Sequence, residues 1–363
     1  MAKDNPLKRI YDLYMSDLSF EEIEKVIKRE SSEVYKFFAH DIPKDHHNEN
    51  KLARAFIFIR NLFNAFILKL KPGRRIFYII SLLLFILGLI RAMDGEVILA
   101  FIIMNLLLAF ELADKLTAKD ELDLARKIQS DLIPKDPPDN DFYEIASYYE
   151  SAREVGGDYF DFIIKKDKKN TTYFVIGDIS GKGTPAALYM IRVQAILQML
   201  VVNYSKVKDI LINLKIYFSE RLRKEYFLTI IAASINDKGK LTISSAGHSP
   251  VLYFKKEENT FELINPKGIG IGFNDRGIFE KTLEELKLEP KSGDILFFYT
   301  DGVSELMNEH KLQYGLEYVK RIIQENPERN AEEIKTRLIQ SMTYFRGAAD
   351  KSDDLTMILL KRK

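Results

Sequence analysis

Five aspartates stand where apolar, strand-like runs begin or end. They are Asp158 in "EVGGDYFDF", Asp178 in "VIGDISGKG", Asp301 in "FFYTDGVSE", and Asp353 with Asp354 in "KSDDLTMILL". A strand end can hold a ligand rigidly, and Gly156, Gly157, Gly181 and Gly302 allow close approach beside them. Any single Asp-Gly at such a place is a turn former. The set becomes chemistry only if the fold gathers it. Two carboxylates about 4 Å apart repel by roughly 4 kcal/mol at an effective dielectric near 20, so a gathered cluster requires cations. Ligation by oxygen alone selects hard ions, Mg²⁺ or Mn²⁺. Two such ions about 3.5 to 4 Å apart can lower the pKa of a shared water and neutralise a phosphoryl group under attack. The chemistry implied is metal-assisted hydrolysis of a phosphate ester.

Other readings of the glycine turn fail on spacing. A Walker loop needs G-x-x-x-x-G-K-[ST], but Lys182 is followed by Gly183 and Ile176 stands five residues before Gly181. The run "GIGIG" at 268 to 272 follows "NPK" and opens no helix, so it is not a dinucleotide fingerprint. Lysine plus arginine number 54 against 53 acids, a net charge of +1, and no basic field points to nucleic acid. The absence of cysteine excludes disulfides, thiolate catalysis and zinc–thiolate sites. Five histidines are too scattered for a histidine-rich metal site, and His46 and His47 lie in the polar run "DIPKDHHNEN".

The elements that must position the acids begin near residue 142. Runs such as "FYEIASYYE", "DYFDFII", "TYFVIGD", "FLTIIAASI", "KLTISSAGH", "PVLYFKK", "DILFFYT" and "DLTMILLKR" read as strands, and "NDKG" at 236 to 239 as a hairpin turn. Helix-like segments at 184 to 202 and about 206 to 224 fall together, and two more follow residue 303. Strands in runs and helices in pairs predict an α+β architecture.

The N-terminal third differs. "IFYIISLLLFILGLI" (76 to 90) and "VILAFIIMNLLLAF" (97 to 110) are almost wholly apolar, with "RAMDGE" between them. Each is shorter than the roughly 18 to 20 residues that cross a bilayer core, but snorkelling flanks make a two-pass transmembrane hairpin over residues 71–115 feasible. A buried soluble hairpin would keep a polar stripe, and here only Ser81, Gly88 and Asn105 interrupt the runs. Lys69, Lys71, Arg74 and Arg75 crowd the leading side, so both ends are expected in the cytoplasm. Residues 1–70 read as a helical region without a motif. Within them, 52 to 70 mix Arg54, Arg60 and Lys69 with apolar side chains, as an interfacial helix or a core helix would.

Residues 111–134 read as a helix ending at a proline, with Leu112, Leu116, Leu124, Ile128 and Leu132 as a narrow apolar stripe. The stripe suits a short parallel coiled coil in a homodimer, or packing onto the chain's own domain. The stretch "PKDPPDND" at 134 to 141 marks a domain boundary.

In order, "AREVGGDYFDF", "VIGDISGKGTPAALYM", "SSAGHSPVLYF", "FFYTDGVSE" and "SDDLTMILL" resemble the PPM-type metal-dependent serine/threonine phosphatases, in their bacterial SpoIIE/RsbU-like branch. "ARKIQSDLIP" resembles the segment leading into that domain, so the likeness runs from about residue 120 to the C-terminus. It implies a PPM phosphatase-like αββα fold, a β-sandwich flanked by helix pairs over 142–363, with two Mn²⁺ or Mg²⁺ ions at one end. Carried onto this chain, Asp178 would bridge both ions. Asp158 and the Ile179 carbonyl would complete one site, and Asp301 with Asp353 the other. The doubled aspartate leaves Asp353 and Asp354 open by one residue, and Asp161 would support from behind. Lys182 then reads as a surface or substrate-approach residue, His248 as a packed histidine, and Arg153 as too loose a match for the phosphate-binding arginine of eukaryotic relatives.

The resemblance further implies a phosphoprotein substrate, a STAS-domain anti-sigma-factor antagonist in a partner-switching pathway. It also implies control through a dimerising linker helix. The catalytic domain would lie on the cytoplasmic side of the bacterial inner membrane. Two other classes are compatible with the residues: a membrane-tethered partner-binding protein without turnover, and a two-metal nucleotide cyclase, for which a purine-reading Lys/Asp pair is not evident.

Overall fold

The structure, a computed structural model, describes residues 51–165, 171–219, 222–223, 225–273 and 277–363, with side chains from Arg60 onward. The expectations for residues 1–50, including His46 and His47, and for the Arg54 side chain lie outside the described residues. The chain divides into two compact units, Met1–Thr117 and Ala118–Lys363.

The first unit holds α1 (Lys51–Lys69), α2 (Pro72–Arg91) and the start of α3 (Asp94–Leu132), whose last residues belong to the second. A proline in the first turn of α2 lacks only an amide that would be unpaired anyway. Ala92, at φ 51, ends the helix in the left-handed conformation, and the Met93 amide closes onto the Gly88 carbonyl at 2.9 Å. Gly88 is where α2 and α3 approach: a β-carbon there would meet Val97 Cγ2 at 2.7 Å. At the other end Arg74 pairs with Glu111 and Asp114, and Lys71 with Asp114, at 2.6 to 2.9 Å. The apolar side chains face outward, among them Ile76, Leu89, Phe101 and Leu108. Both α2 and α3 are long and apolar enough to cross a membrane. Contrary to the reading of two helices there, the second apolar run and the charged segment after it form one continuous helix, because nothing between 97 and 132 interrupts it.

In the second unit one sheet has the order β1-β10-β9-β6-β7 and the other β2-β3-β4-β5-β8, all neighbours antiparallel. The strands are β1 (Tyr143–Glu150), β2 (Asp158–Lys165), β3 (Thr171–Ile179), β4 (Leu228–Ile235), β5 (Leu241–Ala246), β6 (Val251–Lys255), β7 (Thr260–Ile264), β8 (Leu286–Leu288), β9 (Ile295–Tyr299) and β10 (Leu355–Arg362). The two-residue period sorts the layers. Leu296 and Phe298 of β9 and Ile358 and Leu360 of β10 point between the sheets, while Phe297, Tyr299, Met357 and Leu359 point to the outer helices. Phe174 and Phe298 meet edge to face at 5.0 Å across the sandwich.

On one side lie α4 (Thr184–Asn203) and α5 (Val207–Ser219). After the short α6 (Ile278–Thr282) and α7 (Asp301–Ser304), α8 (Gly315–Glu325) and α9 (Ala331–Arg346) cover the other side. Helix α4 also has the length and apolarity of a membrane span. It spends them on burying Met190, Val193, Leu197 and Val201 in the core. The expected α+β sandwich flanked by helix pairs is what forms, with "NDKG" as the β4–β5 turn, where the Asn236 amide reaches the Lys240 carbonyl at 3.1 Å. Strands β7 and β8 and helix α6 were not foreseen.

Candidate active site

The acids meet at one end of the sandwich because the topology brings four separate strand ends there. Antiparallel pairing sets Asp158 directly opposite Asp178, at the start of β2 and near the end of β3. In the facing sheet β9 runs into Thr300 and Asp301, while Asp353 and Asp354 precede its neighbour β10. The two sheets are stitched at this point. Asp158 Oδ2 accepts from Thr300 Oγ1 at 2.7 Å and from Thr356 Oγ1 at 2.5 Å, while within the facing sheet the Thr300 amide donates to the Thr356 carbonyl at 3.0 Å.

Three glycines make the approach possible. A β-carbon at Gly157 would sit 2.9 Å from the Ile179 carbonyl oxygen and 3.6 Å from Asp178 Oδ1, so those two oxygens share the hollow that Gly157 leaves. One at Gly156 would strike the Asp354 carboxylate and the Tyr149 hydroxyl, and one at Gly302 the Asp354 carbonyl. Behind this loop, Gln129 near the end of α3 is buried and clasps Gly156 twice. Its Nε2 donates to the Gly156 carbonyl at 2.7 Å, and its Oε1 accepts from the Gly156 amide at 3.0 Å.

The doubled aspartate separates into two roles. Asp354 is buried and its oxygens are taken by main-chain amides: Ala152 on Oδ1 at 2.7 Å, and Gly157 and Asp158 on Oδ2 at 2.7 and 3.4 Å. Asp353 is half-exposed and holds the Lys182 ammonium on Oδ2 at 2.7 Å. Electrostatics follow the crowding. Burial and the neighbouring Asp178 and Asp354 push the Asp158 carboxyl far up, against the two threonine hydroxyls. Burial together with Asp301, Asp353 and Asp354 raises Asp178 to about 7, with Lys182 opposing. Burial and Asp353 raise Asp301, again opposed by Lys182. Mutual repulsion of this kind marks a place where a dication is worth most.

Among the described residues no three acidic or histidine side chains surround one point at ligand distance. Several are individually engaged: Asp158 by threonines, Asp354 by the backbone, Asp353 by Lys182. The donor types nonetheless suit a hard cation, since the atoms that share the hollow at Gly157 are an Asp178 carboxylate oxygen and the Ile179 carbonyl oxygen.

Of the other residues singled out from sequence, Asp161 stands on the opposite face of β2. Its carboxylate accepts from Tyr159, Gln198 and the Phe162 amide, so it secures α4 rather than backing the acid cluster. His248 is buried beside the cluster, its Nδ1 2.9 Å from Thr229 Oγ1, and Thr229 pairs with Asp178 across β3 and β4. Burial pushes its imidazole down to about 4. Arg153 Nη1 would lie 3.8 Å from a β-carbon on Gly183, which brings it to the glycine turn. Sequence reasoning missed Thr300, Thr356 and Gln129. The first two adjoin acids already singled out, within "YTDG" and "DDLT", so their place was readable; a glutamine clasp was not.

Comparison with known proteins agrees with this fold. The model of the family described as Stage II sporulation protein E (SpoIIE) matches residues 168–363, which include Asp178, Asp301, Asp353 and Asp354 and leave Asp158 before them. The chain is 28% identical over 249 residues to the phosphoserine phosphatase RsbU of Bacillus subtilis, covering 68% of this chain and 71% of that protein. It is 25% identical over 254 residues to the phosphoserine phosphatase RsbP of the same organism, covering 69% and 59%. Among solved structures, the SiaA PP2C domain of Pseudomonas aeruginosa superposes with a TM-score of 0.58 at 16% identity, over 69% of this chain and 98% of that one. The PP2C domain of SpoIIE from Bacillus subtilis, with a regulatory fragment, gives 0.50 at 16%, over 60% and 63%. Since the family model spans more than half of the sequence, the chain belongs to the SpoIIE family of PPM-type phosphatases.

Proposed function

We propose that this chain is a membrane-anchored protein phosphatase that hydrolyses phosphoserine or phosphothreonine on a partner protein. The observation that carries the reading is the gathering of Asp158, Asp178, Asp301 and Asp353 from two sheets into one crowded, partly buried cluster. Asp178, central to the cluster, would serve two Mn²⁺ or Mg²⁺ ions together. Asp158 and the Ile179 carbonyl would hold one ion, and Asp301 and Asp353 the other. When bound, such ions make water acidic enough to attack at neutral pH and offset the charge of the phosphoryl group. The chain's own residues do the rest. Thr300 and Thr356 fix the Asp158 carboxylate, Asp354 fastens the Gly156–Gly157 loop beneath it, and the glycines keep the floor open.

The substrate we infer is a phosphorylated STAS-domain anti-sigma-factor antagonist in a partner-switching pathway, in line with the likeness to RsbU and RsbP. Anchoring through residues 71–115 rests on the outward-facing apolar surfaces of α2 and α3. A homodimer through the linker rests on Leu112, Leu116, Leu124 and Ile128, all exposed along α3. The deciding experiment is hydrolysis of an aryl phosphate and of a phosphoserine peptide by the full chain in detergent, with and without Mn²⁺. We expect Mn²⁺-dependent turnover that Asp178→Ala lowers by about three orders of magnitude or more, since electrostatic stabilisation is usually the largest single contribution to catalysis. Equal turnover by both proteins would reject the reading.

A further inference from the structure

Lys182 sits between two glycines whose backbone lies in the left-handed region, Gly181 at φ 97 and Gly183 at φ 76. The turn is therefore held in a shape that other residues adopt only under strain. It sends the lysine across to a segment 171 residues away in sequence, where Nζ meets Asp353 Oδ2 at 2.7 Å and the Ser352 carbonyl at 2.5 Å.

We infer that Lys182 is an internal counter-ion for the cluster, one that a second dication must displace from Asp353 before that carboxylate can act as its ligand. The inference rests on the metal-site reading above and deepens it. The Asp353 Oδ1 atom already accepts from the Asp354 amide at 3.0 Å, so Oδ2 is the oxygen with most to offer, and Lys182 holds it. An ammonium and a dication on one oxygen repel each other, so the two occupancies compete. Displacement is cheap on the lysine side. Both partners are about two-fifths exposed, at 43% and 39%, and a flexible four-carbon stem can swing the ammonium into water. Among the described residues no ion pair holds the Asp158 and Ile179 side of the cluster, so the competition falls on one ion site and the two ions should bind in order.

The test is Mn²⁺ titration calorimetry of the full chain in detergent, comparing wild type with Lys182→Met, Lys182→Arg and Asp178→Ala. Competition predicts that Lys182→Met tightens the weaker binding step by about fivefold, the magnitude of a half-exposed ion pair, and leaves the tighter step unchanged. Lys182→Arg, which keeps the ion pair, should stay within about twofold of wild type. In chelator the Met variant should melt lower than wild type, because the acids lose their counter-ion, and its melting point should rise more on adding Mn²⁺. Equal tightening of both steps would show a diffuse field effect and overturn the inference, as would no tightening. A wild-type chain that binds no Mn²⁺ at all would instead sink the metal-site reading, with Asp178→Ala marking that baseline.

Discussion

Asp353 and Asp354 are adjacent and identical in type, yet the fold gives them opposite duties. The Asp354 oxygens are saturated by three main-chain amides, and Asp353 keeps one oxygen for a cation. Changing each to asparagine should separate the duties. Asp354→Asn places an amide group where amides already point, and loss of the charged hydrogen bonds should cost about 2–3 kcal/mol, read as a lower melting point. Asp353→Asn should leave the melting point in chelator within about 1–2 °C of wild type, since a half-exposed ion pair contributes little. It should abolish the weaker Mn²⁺ binding step. At this scale the sequence was informative about which residue types could act, through Asp-Gly neighbours at the ends of apolar runs. It was silent on orientation, because adjacent side chains diverge according to backbone partners hundreds of residues away. Asp161 shows the same limit: three positions from Asp158 in β2, it faces the helix layer instead.

Among the elements, α3 carries most of what spacing could not reveal. Its apolar half and its charged half read as separate helices by composition, but a helix is broken by backbone-incompatible residues, not by a change of polarity, and none occurs between Ala100 and Leu132. Near its end Gln129 grips both backbone groups of Gly156, one residue from the Gly157 hollow. Gln129→Leu preserves bulk but leaves a buried N–H and C=O unpaired, each worth about 1–3 kcal/mol. We expect a lower melting point together with reduced turnover, measurable on the full chain by calorimetry and aryl phosphate hydrolysis. Strands with continuous buried runs, such as β3 and β9, were legible from composition. Edge strand β7 was not, because Glu262 and Leu263 are exposed and its pattern is mixed, and three-residue β8 is below the length at which a pattern exists.

At the scale of the whole molecule, the helices with the length and apolarity of membrane spans differ by context rather than by composition. Helices α2 and α4 have the same 20-residue length, and both are apolar enough to cross a bilayer. Yet α4 buries Met190, Val193, Leu197, Leu200 and Val201, while α2 buries only Ser81 and Gly88. If α2 and the first half of α3 lie in lipid, the full chain should sediment with membranes, survive an alkaline wash and need detergent for release. Release by the wash alone would assign the anchor to surface adhesion.

Strand β10 lies inside its sheet between β1 and β9, and the two acids just before it close the cluster. During synthesis the polypeptide therefore has no competent pocket until residues 353–362 have left the ribosome. A product cut short in that stretch would lack a central strand, exposing two raw sheet edges of the kind that aggregate. Losing β10 would thus remove the acid cluster and the continuity of its sheet together.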